Sequence, residues 1–367
     1  MNSGYKANPA DSKAHGDASW QRRYDVDWLR TLAMGLLIIY HVAISFQPWA
    51  HKIFFPKNEQ ALEGLWKIMS LLNIWRIPIL FLISGMGVRF AMERRNWKQL
   101  LKERTARILL PFIFGFFLIC PINSYIAMKF YGWEIAYLPN PGHLWFLGNI
   151  FLYVLLLLPL LIYLKNKPEN ALWRILAKIA RRPWVLFLAA LPLMAEAWLL
   201  DPDFFVLYVL TPHGFCLGMI CFATGFIFIS LKDLFWQAVE NIRQVALAAA
   251  SLLYLVRLFA FRLEDVPHLL VSCESMCWML AILGYGSLYL NKPSARLAYF
   301  SKAVYPVYII HMPVQHALSY YLLPLQMPPV FKLILLLAGT FGVSLLLYEY
   351  LLKRLKWVRP LFGMKGL

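Results

Sequence analysis

Asp27, Trp28, Leu29 and Arg30 open an apolar run that reaches His41. A guanidinium is suited to gripping phosphate or carboxylate, and an imidazole to moving a proton near neutral pH. If the run is helical, eleven residues at ~100° each return both side chains to within ~20° of one face, ~16 Å apart along the axis. Asp27 lies three residues before Arg30 and shares that stripe. In a membrane the spacing puts a cation at one surface and an imidazole about half the hydrocarbon thickness away. Ionisable groups at such depth are costly and mark functional sites; a snorkelling arginine with a packed histidine would leave the same pattern.

Other candidates follow along the chain. Arg104 and Arg107 stand at i and i+3 just before Pro111, one helical face suited to the phosphates of a nucleotide-bearing donor or to setting topology. His143 and Trp145 lie in Gly142-His143-Leu144-Trp145-Phe146-Leu147, which suits either a ligand-binding site or an interfacial aromatic belt. Tyr308 and His311 are again i and i+3, downstream of Pro306, whose ring would free a backbone carbonyl. Arg76 and Glu274 sit inside apolar runs, and Glu274 needs a partner from another helix. His213 and Arg257 read as structural, and Ser84-Gly85 as a close helix contact. Phosphate loops, nucleophile elbows and zinc motifs are absent, so no metal is expected.

The elements that must position these residues are apolar helices. The 367 residues are 60% hydrophobic and only 15% charged, against ~25% charged in a soluble domain. This composition implies an all-α, polytopic membrane protein. Apolar windows predict about ten transmembrane helices, near 28–47, 66–88, 108–128, 143–164, 184–200, 207–230, 244–261, 267–290, 297–321 and 330–352. Residues 1–24 read as a disordered cytoplasmic tail, 25–360 as one transmembrane domain and 361–367 as a short cytoplasmic tail. The net charge of +17 concentrates in alternate loops, notably 89–107 and 165–182, and in the C-terminal tail. The positive-inside rule therefore puts both termini in the cytoplasm. Basic residues so distributed make a topology signal and exclude a nucleic-acid module. The five cysteines lie in or beside apolar runs and read as small buried hydrophobes.

In this order the motifs resemble the integral-membrane acyltransferase-3 family, from about residue 24 to 362. The likeness is carried by Asp27-Trp28-Leu29-Arg30 with His41, Phe81-Leu82-Ile83-Ser84-Gly85, Arg104-x-x-Arg107 with Pro111, His143 to Leu147, and Tyr305 to His311. Met86 departs from the pattern, which commonly has an aromatic there. Glu274-Ser275, Ser294-Ala295-Arg296 and Leu347-Tyr348-Glu349-Tyr350 resemble the branch that succinylates osmoregulated periplasmic glucans.

The resemblance implies an inner-membrane O-acyltransferase that moves a succinyl or acetyl group from cytoplasmic acyl-CoA to a hydroxyl of an extracytoplasmic glucan. Acyl-CoA would be a donor substrate, with no permanently bound cofactor. Arg30, Arg104 and Arg107 would hold coenzyme A phosphates, and His41 would act as general base. Glu274 would orient a histidine or raise its basicity. Asp27, Arg76, His143, Trp145, Tyr308 and His311 would contact substrate: His143 and His311 the sugar or the oxyanion, and Arg76 or Arg257 the carboxylate of a succinyl group. The rival reading is a transporter or flippase using the same buried His, Glu and Arg side chains.

Overall fold

The computed structural model describes residues 22–167 and 170–364. Most of the expected N-terminal tail, and the last three residues, lie outside them. Eleven helices follow in order: α1 (Tyr24–Ile44), α2 (Leu65–Glu93), α3 (Trp97–Tyr131), α4 (Gly142–Asn166), α5 (Ala171–Ala180), α6 (Pro183–Leu200), α7 (Pro212–Ser230), α8 (Asp233–Phe259), α9 (His268–Leu290), α10 (Ala295–Leu322) and α11 (Pro329–Leu352). No strand occurs among the described residues.

Nine of these helices are long and apolar enough to cross a membrane, by length and composition. The 28-residue α10 is not among the nine, although an apolar window predicts it as a span. Its His311, Gln315 and Ser319 are fully buried, so its polarity faces protein instead of lipid. Three helix starts differ from expectation. α3 begins at Trp97 instead of near 108, because Asn96 and Gln99 form a reciprocal capping box ahead of the apolar run. α8 begins at Asp233 instead of near 244, continuing through a polar but helix-compatible stretch. α7 begins only at Pro212, behind a Thr211 cap, so 207–211 is loop. The amphipathic α5 occupies part of what reads as a basic loop. Asn170 caps it, and Leu172, Ile175 and Ile179 are left exposed, as on a helix lying along a membrane surface.

Helices α2 and α7 touch backbone to backbone. A Cβ on Gly85 would lie 1.9 Å from the Phe222 carbonyl oxygen, and one on Gly225 equally close to that of Leu82. Gly85 is therefore a packing residue, as small residues in membrane helices commonly are.

Prolines organise the interior more specifically. Proline lacks the N–H that would bond the carbonyl four residues back, and an orphan carbonyl in a dry interior must find another donor. Pro78 frees Ile74, whose oxygen accepts from Ser275 Oγ at 2.7 Å. Pro111 frees Arg107, which accepts from Tyr305 Oη at 2.8 Å. Pro121 frees Phe117, which accepts from Tyr137 Oη at 2.8 Å. Pro313 frees Ile309, which accepts from His143 Nε2 at 3.1 Å. Two π-helical turns, Thr105–Leu109 and Gly115–Ile119, absorb the first two interruptions of α3. Three of these prolines thus pin one helix to another, Pro121 ties α3 to the loop that follows it, and two of the pins hold residues singled out by the sequence.

Candidate active site

Helices α1 and α10 bring His41 and His311 together. Their Nδ1 and Nε2 atoms are 2.9 Å apart, and the rings lie within 2° of parallel. The other His311 nitrogen, Nδ1, is 2.6 Å from the Tyr308 carbonyl oxygen. A carbonyl only accepts, so His311 Nδ1 carries the proton and, in the neutral ring, Nε2 is the acceptor. It follows that His41 donates through Nδ1 and keeps a bare lone pair on Nε2. His311 is fully buried, whereas His41 is half-buried. No other described residue bonds His41 Nε2. One accessible base thus terminates a chain of oriented rings anchored on backbone, as a carboxylate anchors the histidine of a triad.

His143 joins the cluster, with its ring centre 5.0 Å from that of His311. Its Nε2–H donates to the carbonyl freed by Pro313, which leaves Nδ1 as a buried acceptor without a partner. Tyr308 Oη donates to the His143 carbonyl at 2.5 Å and locks the start of α4 to α10. His41 and His311 bond each other, and the other bonded nitrogens of the three rings meet carbonyls; among the described residues no group of three or more His, Cys, Asp or Glu side chains could hold a metal ion.

Sequence reasoning missed the residues that hold His41. Gln315 Nε2 donates to the His41 carbonyl at 2.9 Å and lies 3.3 Å from Ser45 Oγ. His316 bonds the carbonyls of Met312 and Phe54, and packs on Phe55, which in turn tilts against His41. Pro306 drew attention to α10, but the carbonyl that serves the site is the one freed by Pro313. A proline four residues after a buried carbonyl is the signal that identifies it.

The arginines lie toward the other end of α1. Arg30, Arg104 and Arg107 line one cavity of about 200 Å³, with Ser84, Tyr305 and Tyr308. Asp27 takes Arg30 Nη2 at 3.0 Å and also pairs with Arg22, so it orients Arg30 and is itself occupied. Arg107 bonds Glu103 and the Gly363 carbonyl, while Nε of Arg104 is buried with no protein partner. Tyr308 links the two regions: it is among the residues lining the basic cavity, and its carbonyl anchors His311.

Arg76 is buried on α2, with its guanidinium 3.7 Å from the centre of the Tyr40 ring. One of its nitrogens bonds Asn73, while Nε and Nη1 have no partner.

Glu274 occupies a different place from the one expected. Both of its oxygens bond Arg257, at 2.7 and 3.1 Å, and Trp278 Nε1 adds a third contact. The expected carboxylate–histidine contact is therefore not formed by this residue, and Arg257 is already neutralised. Among the described residues the buried carboxylate–histidine pair is instead Glu196 with His213, at 2.8 Å, whose other nitrogen bonds the Phe205 carbonyl. Trp145 packs in the core against Phe81 and does not line the arginine cavity.

Comparison with known proteins converges on one chemistry. The family model described as an acyltransferase domain matches residues 23–349. Similar proteins include glucans biosynthesis protein C from Escherichia coli strain K12 and from E. coli O81, each 23% identical over 90% of this chain and 91% of its own length. No solved structure gives a significant match. Consuming a donor is the defining act of an acyltransferase, and a transporter does not perform it. The chain belongs to the acyltransferase-3 family and is a multi-pass membrane acyltransferase.

Proposed function

We propose that this protein transfers a short acyl group, succinyl or acetyl, from cytoplasmic acyl-CoA to a hydroxyl of an extracytoplasmic glucan. It would do so in the inner membrane, with both termini cytoplasmic and one transmembrane domain over about 25–360. The observation that carries the reading is the His41–His311–Tyr308 chain, set between an arginine-lined cavity and the opposite end of α1. The names of the E. coli relatives support a glucan acceptor.

The basic cavity suits the donor. Guanidinium groups match phosphate oxygens in charge and geometry. At about 200 Å³ the cavity is smaller than sites that enclose a whole cofactor, typically 300–1,000 Å³, so the nucleotide stays at its mouth and the pantetheine arm points inward. The acceptor hydroxyl reaches His41 from the other side. His41 Nε2 removes its proton, the oxygen attacks the thioester carbonyl, and the tetrahedral intermediate collapses with loss of the thiolate. The His41 imidazolium then protonates the sulfur. Atoms and charge balance, and His311 Nε2 holds the Nδ1–H of His41 throughout. Such base catalysis is typically worth ~10²–10⁴-fold.

His143 offers a bare Nδ1, which can accept a hydrogen bond but cannot stabilise an oxyanion while neutral, so it serves a sugar hydroxyl. Arg76, whose Nε and Nη1 have no protein partner, is the cation available to an oxyanion or to the carboxylate of a succinyl chain. Glu274 serves to neutralise Arg257.

The test is release of free thiol from succinyl-CoA or acetyl-CoA by purified protein with and without a glucan, together with mass spectrometry of the glucan. Acceptor-dependent thiol release with matching acylation is expected. Glucan left unmodified with every short acyl donor would overturn the proposal.

A further inference from the structure

The arginine-lined cavity lies at one end of the bundle. A second and larger cleft, of about 1,670 Å³, opens where the last residues beyond α1 meet the start of α2, the end of α6 and the loop joining α8 to α9. The two spaces lie at opposite ends of α1 and α2. The basic cavity uses Arg30 and Met34 with Leu80 to Gly87; the cleft uses Gln47 to Trp49 with Glu63 to Ile74. His41 stands between them. Gln47 follows it by six residues, ~9 Å at helical rise.

The cleft differs in chemistry as well as size. Three indoles, Trp49, Trp66 and Trp198, contribute to its walls, the first two packed edge to face. Glu63, Asp201, Asp203, Glu264 and Asp265 all line it and are exposed. Against those five carboxylates stand two exposed cations, Lys67 and Arg262; Arg257 is already committed to Glu274. In a chain of net charge +17 this is a locally acidic surface. It repels phosphates and anionic headgroups, the ligands that the opposite cavity attracts.

The loops are held in shape. His213 ties the 201–206 loop to Glu196 through the Phe205 carbonyl, and Asp201 lies 3.6 Å from His268. Asp201, Arg262, Leu263 and Asp265 all take positive φ without being glycine, a costly conformation that is retained where surroundings impose it. His268 also lines the cleft and keeps a buried Nδ1 without a partner.

A large uncharged ligand with many hydroxyls fits this lining. Its apolar C–H faces stack on indole rings, and its hydroxyls donate to carboxylates and to imidazole nitrogen. The volume exceeds the 300–1,000 Å³ of small-molecule sites, which favours a chain of sugars over one. We infer that this acidic, tryptophan-lined cleft seats a multi-residue segment of a neutral oligosaccharide and delivers one hydroxyl of it toward His41. The inference rests on the acyl-transfer reading for direction and adds to it a site for the acceptor chain.

The experiment measures binding of neutral gluco-oligosaccharides of increasing length to detergent-solubilised full-length protein, by saturation-transfer NMR without donor. Trp66→Ala and Trp198→Ala are the variants, the second removing a residue that is 71% exposed. Affinity is expected to rise with chain length, and each variant to weaken it about tenfold, the effect of losing ~1.4 kcal/mol of ring contact. In turnover the acceptor KM should rise in step while donor KM stays fixed. Equal affinity for glucose and long chains, or unchanged acceptor constants in both variants, would overturn the inference. Occupation of the cleft by phospholipid in competition with sugar would overturn it too. Oligosaccharide binding without any acylation would instead sink the transfer reading and leave the cleft standing.

Discussion

Glu274 and Arg257 provide the sharpest separation between a structural and a catalytic role. Both are nearly inaccessible, at 0% and 4% exposure, and joined by two hydrogen bonds. Glu274→Ala leaves a buried guanidinium without its counter-charge, and breaking a buried pair by removing one partner typically costs about 3–5 kcal/mol. Replacing both members by apolar residues of similar volume is often neutral, because desolvation of two charges offsets their attraction. The assay is thermal unfolding in detergent, followed by kcat of the folded fraction. Glu274→Ala is expected to unfold at markedly lower temperature. The double variant Glu274→Met with Arg257→Met should recover stability and keep kcat within a few-fold. A double variant that is well folded yet ~10²-fold slower would refute the reasoning and return Glu274 to the reacting atoms.

Further predictions follow from the same geometry. Arg30→Ala and Arg107→Ala each remove a charge-assisted contact worth about 1.5–3 kcal/mol, so the donor KM should rise by roughly 10–100-fold in steady-state kinetics; a change confined to the acceptor constant would contradict the clamp. Pro313→Ala restores an N–H that competes with His143 for the Ile309 carbonyl, so kcat should fall while donor binding, measured by calorimetry, is unchanged.

Much of this arrangement was legible in the sequence, and what was hidden has a physical cause. Apolar windows located the spans because lipid accepts only helices whose backbone bonds are internal. They misplaced the ends of α3 and α8, which are polar and set by capping and helix propensity instead of hydropathy. The eleven-residue spacing separates Arg30 from His41 along one helix, and packing puts the first in the basic cavity and the second beside His311. The position of Glu274 inside an apolar run marks it as buried, but burial carries no information about which neighbour a side chain faces. Its partner on α8 depends on tertiary packing. Gln315 and His316 sit one turn beyond His311, and only the approach of α1 and the 54–55 turn gives them partners. The α10 prolines were visible throughout. Their meaning needed the partner helix, because a freed carbonyl identifies an acceptor and leaves its donor open.

The central claim is that His41, with its Nε2 lone pair exposed by the chain to His311 and Tyr308, removes the proton from the acceptor hydroxyl. The most direct measurement is the single-turnover rate of acyl transfer by folded His41→Ala protein at saturating donor and acceptor. The account predicts a loss of ~10²–10⁴-fold with donor affinity unchanged. A rate above about a tenth of the wild type, far short of the usual base-catalytic contribution, would contradict it.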